Sequence, residues 1–104
     1  MLVKLEFFVP VLNAEHVKNA LFECGAGSVG HYSHCAWQTE GDGQFKPGEE
    51  SQPHIGIHGK LERIKEYKVE MICHGSIIKK VIEVLKKEHP YETPAYQVIE
   101  LMDL

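Results

Sequence analysis

Hydrophobic and polar positions alternate at the beginning of the chain. Between residues 2 and 9, Lys4 and Glu6 interrupt a set of apolar side chains at every second position, namely Val3, Leu5, Phe7 and Val9. A period of two predicts a strand with one buried face. Pro10 is expected to end this strand, because proline cannot donate a hydrogen bond to a sheet.

The next segment has the period of a helix. Asn13 is the expected N-cap, and Glu15 falls in the first turn, near the positive end of the helix dipole. Apolar residues then recur at the i, i+3, i+4 and i+7 positions, at Val17, Ala20, Leu21 and Cys24. Gly25 is predicted to end the helix in a left-handed conformation.

Residues 25–60 contain eight of the nine glycines. We predict a strand over residues 31–39, a turn at Gly41-Asp42-Gly43, and a short antiparallel return over residues 44–46. Residues 48–59 are expected to form an ordered excursion rather than a linker, since they include Ile55 and Ile57.

The second half repeats the opening order. Alternation at Tyr67, Val69, Met71 and Cys73 predicts a strand. Ser76 is expected to cap a helix whose apolar stripe contains Ile78, Val81, Ile82 and Leu85, and residues 95–102 predict a final strand. The compact solution is an α+β fold, a ferredoxin-like βαββαβ sandwich with two helices on one face of an antiparallel sheet. An extra hairpin or loop excursion is expected at about residues 40–60, within a single domain spanning residues 1–104.

Composition narrows the class of protein. The chain has 104 residues, 43% hydrophobic and 25% charged, as is usual for a folded globular domain. Eleven basic against fifteen acidic residues give a net charge of −4, which argues against nucleic-acid binding. No apolar run approaches the roughly 18 residues of a membrane span. Three widely spaced cysteines form neither a disulfide framework nor a C-x-x-C zinc motif, which favours the cytoplasm.

Seven histidines raise the possibility of a metal site, since imidazole is a common metal ligand. Their spacing matches no motif such as H-E-x-x-H, and surface histidines are the simpler interpretation. Cys35, close to His31 and His34, is interpreted either as an activated thiol or as an inert one. The glycines after residue 24 follow a helix instead of preceding one, which disfavours a phosphate-binding loop.

Residues 89–96 are the most distinctive segment, with prolines at positions 90 and 94. Proline also restricts the residue before it, so the segment predicts a rigid corner between helix and strand. Such a corner would present His89, Tyr91 and Glu92 together. They could line a polar pocket, with His89 as a general base oriented by Glu92, or they could simply pack against a neighbouring element.

Four segments together resemble a known family: GAGSVGHYSHCAWQTEGDGQFKP, QPHIG, LERIKE and HPYETPAYQVIEL. They are similar to the insert domain of the YqfO-type proteins, a dinuclear-metal family related to the Ngg1p-interacting factor and often labelled GTP cyclohydrolase I type 2-like. The resemblance covers nearly the whole chain, which looks like a free-standing version of that insert. Thr93 stands where the family usually has an acid, and Trp37 where it usually has Phe.

The resemblance implies a CutA/PII-like fold and a homo-oligomer, with a trimer favoured by analogy and a dimer as the alternative. The family's dinuclear-metal site belongs to a flanking domain, so the cyclohydrolase label does not transfer. Matching positions expected to be structural are Gly25, Gly27, Gly30, Pro47, Pro53, Gly56, Pro90 and Pro94. A cleft between subunits is expected to take an unknown small molecule through Tyr32, Cys35, Glu62, His89, Tyr91 and Glu92.

We therefore expect a non-catalytic, oligomeric ligand-binding or regulatory module. The alternative is a CutA-like divalent-metal-binding protein that holds zinc or copper with His31, Cys35 and His89. An enzymatic role for His89 and Glu92 has the least support, because no nucleophile, oxyanion donor or cofactor motif accompanies them.

Overall fold

Six helices and strands follow one another in the predicted order. The computed structural model describes all 104 residues, with the elements β1 (Leu2–Pro10), α1 (Ala14–Glu23), β2 (Trp37–Phe45), β3 (Glu62–His74), α2 (Ile78–Glu88) and β4 (Tyr96–Glu100). Short 3₁₀ turns, Val11–Asn13 and Gly75–Ile77, lead into the two helices. No helix has both the length and the apolar character that crossing a membrane requires.

The four strands form one antiparallel sheet in the order β2-β3-β1-β4. Strands β1 and β3 lie at its centre, where Phe7 of β1 is opposite Val69 of β3. This sheet with two helices is the ferredoxin-like arrangement, so the predicted fold class is confirmed.

The core lies between the helices and one face of the sheet. Alternation in β1 and β3 gives each strand one apolar face, and both helices contribute an apolar stripe to it. The 13 residues of the core cluster are all buried: Val3, Leu5, Phe7, Val9, Ala14, Val17, Leu21, Ala26, Val69, Met71, Cys73, Val81 and Leu85. The other sheet face, called here the open face, has no helix over it.

The predicted strand at 31–39 is correct only from residue 37 onwards, and the predicted turn at 41–43 with a return over 44–46 is wrong. Residues 31–36 are irregular, with His34 at a φ of 59°, and the strand begins only at Trp37. It then continues through Gly41-Asp42-Gly43, because β3 pairs with it residue by residue from Trp37 opposite Glu70 to Phe45 opposite Glu62. A Gly-Asp-Gly run is typical of a turn, but here the long partner strand keeps it extended.

The expected helix caps also differ from the observed ones. Asn13 is the N-cap of α1 but makes no side-chain capping bond. Ser76 does not cap α2, which begins at Ile78 after a 3₁₀ turn. In both places the extra turn lets the chain leave the sheet and enter the helix without a side-chain cap. Gly25, at a φ of 103°, follows α1 as predicted.

Residues 46–61, called here the 46–61 loop, contain the predicted excursion without an added hairpin. The amide of Gly59 donates to the carbonyl of Pro47 at 2.7 Å, which closes the ends of the loop. Pro47 is buried, and Gly56 has a φ of 103°. The loop therefore folds back on the end of β2.

Candidate ligand-binding cleft

A cleft of about 330 Å³ opens where β2 ends and β3 begins. It lies between the 46–61 loop and residues 89–95, called here the proline corner. Its apolar walls are formed by Phe8, Phe45, Pro47, Pro53 and Ile55. Polar side chains also line it, namely Gln44, Lys46, Ser51, His54, Glu66, Tyr91, Glu92 and Thr93. Clefts that bind small molecules combine apolar walls with polar groups that orient the ligand.

The proline corner places its side chains because a proline follows the helix. α2 ends at Glu88, and His89 adopts extended angles of φ −70° and ψ 137°. The residue before a proline is driven out of the helical region, so Pro90 dictates this turn. Pro94 is buried at the far end of the corner. The predicted rigid connector is thus present.

His89 is a buried, fully hydrogen-bonded imidazole with 5% of its surface exposed. Its Nε2 lies 2.6 Å from the carbonyl oxygen of Phe8, and its Nδ1 accepts a hydrogen bond from the amide of Tyr91 at 3.0 Å. A carbonyl only accepts and an amide only donates, so the ring is neutral, with its proton on Nε2. Burial lowers the pKa of His89, and this outweighs the opposing effect of the bond to Phe8.

Glu66 is the buried carboxylate of the cleft, with 8% of its surface exposed. The hydroxyl of Tyr91 donates to its Oε2 at 2.6 Å. Burial, followed by the bond to Glu66, raises the pKa of Tyr91 far above its ordinary value. Tyr91 therefore remains a protonated donor to this carboxylate.

Gly43 makes room for that carboxylate. Glu66 lies opposite Gly41 on β2 and leans diagonally over Gly43, the next residue on the same face. A Cβ at Gly43 would overlap Oε1 and Cδ of Glu66 and lie 3.1 Å from its Cγ. A Cβ at Gly41 would meet nothing within 4 Å. Only Gly43 is required by the position of the carboxylate.

Glu92 holds the 46–61 loop over the cleft. Its Oε1 accepts a hydrogen bond from the amide of Gln52 at 3.0 Å. Within the loop, Nε2 of His58 donates to the carbonyl of Ser51 at 2.8 Å. The proline corner and the loop thus meet through one side chain and form two adjacent walls.

The structure brings three of the predicted ligand-binding residues together: His89 in the wall behind the cleft, with Tyr91 and Glu92 lining it. Glu62 lies beside them, opposite Phe45, and its Cβ is 3.7 Å from the Cβ position of Gly56. Glu62 does not line the cleft.

Tyr32 and Cys35 lie at the other end of the sheet. The amide of Cys35 donates to Gly27, and the amide of Gly27 donates to the carbonyl of Ile72, each at 2.8 Å. The proline corner instead bonds Phe8, which is opposite Lys68. Ile72 lies four positions after Lys68 on β3, about 13 Å along the strand. Within one chain, the two halves of the predicted site do not meet.

The predicted metal ligands are divided in the same way. His31 and Cys35 lie in the irregular segment, far from His89, and both ring nitrogens of His89 are already bonded. No group of three or more His, Cys, Asp or Glu side chains in the chain is arranged to hold a metal ion. Glu92 does not orient His89 as a general base either. Glu92 accepts from the amide of Gln52, whereas His89 bonds the carbonyl of Phe8.

Glu66 is not among the site residues predicted from the sequence, and Gly43 and Phe45 were assigned to a turn and a short return strand without a role in a site. Glu66 falls within the LERIKE segment that carries the family resemblance, but its charge looks like that of any exposed strand residue. The alternation of β3 could have indicated its position, because Glu66 lies on the face of the strand opposite to Tyr67 and Val69.

Comparison with known proteins gives the chain clear relatives, although no protein-family model matches it. It is 43% identical over 100 residues to a Halalkalibacterium halodurans protein named GTP cyclohydrolase 1 type 2 homolog, covering 96% of this chain and 27% of the relative. A Bacillus subtilis protein of the same name is 44% identical over 97 residues, covering 93% and 26%. This chain spans about a quarter of the length of these relatives.

Solved structures similar to this chain include a relative of the same family and proteins of the CutA fold. A Bacillus cereus protein related to NIF3 superposes with a TM-score of 0.83 at 42% identity, covering 98% of this chain and 26% of that protein. The periplasmic divalent cation tolerance protein CutA from Archaeoglobus fulgidus superposes with a TM-score of 0.71 at 19% identity, covering 99% and 86%.

These likenesses first define a class: the chain has the ferredoxin-like fold of the CutA proteins. More particularly, it is homologous to a segment of about 100 residues within the NIF3/YqfO-type proteins named GTP cyclohydrolase 1 type 2 homolog. The predicted resemblance is confirmed.

Proposed function

We propose that the chain is a small-molecule-binding module that acts as a homo-oligomer and catalyses no reaction of its own. The observation that carries this proposal is the buried carboxylate of Glu66, which Tyr91 holds in the wall of an apolar cleft. A buried charge is costly unless it is paired, so its retention beside a cleft favours a role in binding.

Absence of catalysis is proposed from the side chains at the cleft. Both nitrogens of His89 are occupied, which removes the obvious general base. The lining hydroxyl of Ser51 donates to the carbonyl of Gly48 at 2.7 Å, so its proton is directed at a backbone group and not at a side-chain base. A nucleophile needs such a base to be activated. The cyclohydrolase name of the relatives applies to proteins about four times as long and is not transferred.

Two unpaired sheet edges support oligomerisation. β2, with nine residues, and β4, with five, each pair on one side only. Exposed edge strands present unpaired amides and carbonyls, which pair readily with another chain. The open face between these edges exposes Trp37 by 70% and Ile99 by 43%. Large apolar side chains on an uncovered face are typical of an interaction surface.

Association would also complete the predicted site. Tyr32 and Cys35 lie at one end of the sheet and the proline corner at the other, so only a neighbouring copy could bring the two together. We also expect a reducing, cytoplasmic setting, because all three cysteines are free thiols.

Sedimentation and a fragment screen followed by ¹⁵N NMR test the two parts of this proposal separately. We expect a discrete oligomer at micromolar concentration, and at least one fragment class that shifts the amides of Gln52 and Tyr91. A strict monomer would refute the oligomer. Fragments that shift only amides outside the cleft would refute the binding site. The Trp37→Lys variant should weaken association while leaving cleft shifts in place, because Trp37 does not line the cleft.

A further inference from the structure

Glu66 is a carboxylate without an ion-pair partner in the chain. Seven ion pairs link basic and acidic side chains in this molecule, and none of them includes Glu66. Its neighbours on the open face differ in this respect, since Glu6 and Glu70 are both paired with Lys4. A carboxylate more than nine-tenths buried is thus left with a hydroxyl as its only protein partner.

The two oxygens of this carboxylate have different surroundings. Oε2 accepts the hydrogen bond from Tyr91, whereas Oε1 has no donor in the protein. Every side-chain nitrogen or oxygen atom that is fully buried in this chain has a hydrogen-bond partner. Oε1 has none, so it is not fully buried and retains some contact with solvent. Glu66 lines the cleft and also a second depression on the open face, beside Gly43 and Lys68. Oε1 is therefore an acceptor without a protein donor, on a side chain that lines the cleft.

The walls around this acceptor suit an organic body. The rings of Phe45 and Tyr91 lie 5.8 Å apart, centre to centre, with an interplanar angle of 55°. Pro53 and Ile55 extend the apolar surface on the loop side. A cleft of about 330 Å³ is at the small end of ligand sites, which range over roughly 300–1,000 Å³. Aromatic faces also attract cations.

We infer that the cleft binds a primary ammonium compound with an apolar or aromatic body, whose NH₃⁺ group donates to Oε1 of Glu66. This inference rests on the proposed function, since it names the ligand class of the same cleft. Glu92 adds a second negative charge at the cleft wall, while the single lining lysine, Lys46, is exposed. The two carboxylates that line the cleft therefore favour a cationic ligand.

Other ligand chemistries fit these atoms less well. A carboxylate or phosphate ligand would place a second negative charge beside Glu66. Calcium requires six to eight oxygen ligands, and magnesium near-ideal octahedral coordination, whereas Glu66 has one free oxygen here. A primary ammonium needs few acceptors and brings its own apolar body to the aromatic wall.

The test compares two probes that differ only in charge and hydrogen bonding: benzylamine, protonated at pH 7, and benzyl alcohol. In ¹⁵N NMR titrations we expect benzylamine to bind about ten- to a hundredfold more tightly than the alcohol, the usual effect of a charge-assisted bond. Glu66→Gln should remove this preference. Glu40→Gln, which deletes an exposed charge of the same sign on β2, should preserve it.

The outcomes separate this inference from the proposed function. Equal binding of the two probes by the wild-type protein, or a preference that survives Glu66→Gln, overturns the ammonium inference and leaves a general apolar cleft. If neither probe shifts the cleft amides, and the fragment screen also fails there, the proposed binding function falls as well. The comparison of probes on the wild-type protein needs no variant, so it decides even if Glu66→Gln does not fold.

Discussion

The hydroxyl of Tyr91 lies 2.6 Å from Oε2 of Glu66, joining two residues 25 positions apart in the chain. Tyr91 belongs to the proline corner after α2, and Glu66 belongs to β3. The bond therefore fixes the corner to the sheet and, at the same time, holds a buried carboxylate at the cleft. One contact serves both the fold and the proposed site.

Tyr91→Phe should destabilise the protein measurably. The variant keeps the ring but removes the donor to Glu66, so a buried carboxylate loses its partner. Losing such a bond costs about 1–3 kcal/mol in free energy of unfolding. Urea denaturation at pH 7 and equal chain concentration measures the difference. Tyr32→Phe is the matched control, because Tyr32 is 77% exposed and should change stability by less than about 0.5 kcal/mol. Equal stability of both variants would contradict the role given to this bond.

The raised pKa of Tyr91 predicts that the protein loses stability at alkaline pH. Burial and Glu66 raise the pKa of Tyr91 in the folded state, whereas an unfolded tyrosine ionises near about 10. Below that pH the stabilisation is complete. As pH rises above it, the unfolded chain loses the proton while the folded protein keeps it, so stability falls.

Tyrosinate absorbance checks this prediction directly. Near pH 10.5, the folded wild type and the folded Tyr91→Phe variant should have the same tyrosinate absorbance, because Tyr91 keeps its proton. On unfolding, the wild type should gain the absorbance of one more tyrosinate than the variant. A difference signal with an ordinary midpoint in the folded protein would show that Tyr91 is not the buried donor described here.

The fold was predictable because it depends on the strand and helix periods of apolar residues, which can be seen directly in the sequence. The alternation in β1 and the stripe of α2 each match one element, and the corner at Pro90 follows from backbone sterics alone. Local patterns failed where a distant partner decides the structure. Gly41-Asp42-Gly43 is a turn sequence, yet β3 keeps it extended.

The candidate site was predictable only in part, for a related physical reason. The proline corner was recognisable because its residues are consecutive in the sequence. Glu66 was not, since its burial comes from β2, the 46–61 loop and Tyr91 together. Gly43 could be understood only once the diagonal packing of Glu66 was known.

His89 predicts an acid-side loss of stability. Burial lowers the pKa of His89 below the ordinary value of 6.5, with Glu66 and His54 also acting on the ring. Folding thus favours the neutral imidazole of His89, and the stability that this ring contributes is fully present above pH 6.5. As pH falls from 6.5 through the lowered pKa, the unfolded state gains the proton first, so stability declines.

Unfolding free energies at pH 7.5 and 5 measure this effect in the wild type and in His89→Gln, which cannot titrate. The wild type should lose more stability between the two pH values than the variant does. His58→Gln is the control, because His58 is exposed. If His89→Gln follows the wild type across this range, the protonation of His89 is not coupled to folding.

Gly43→Ala and Gly41→Ala form the sharpest pair of substitutions in the sheet. Both glycines lie in β2 on the face of Glu66, but only at Gly43 would the added methyl group overlap the carboxylate. Overpacking of this kind costs typically about 1–3 kcal/mol, whereas Gly→Ala at an unobstructed strand position gains roughly 0.4–1 kcal/mol. We therefore expect Gly43→Ala to lower the urea midpoint and to weaken benzylamine binding, and Gly41→Ala to leave binding intact with equal or higher stability. If the two variants behave alike, Glu66 does not occupy the space over Gly43, and the cleft carboxylate lies elsewhere.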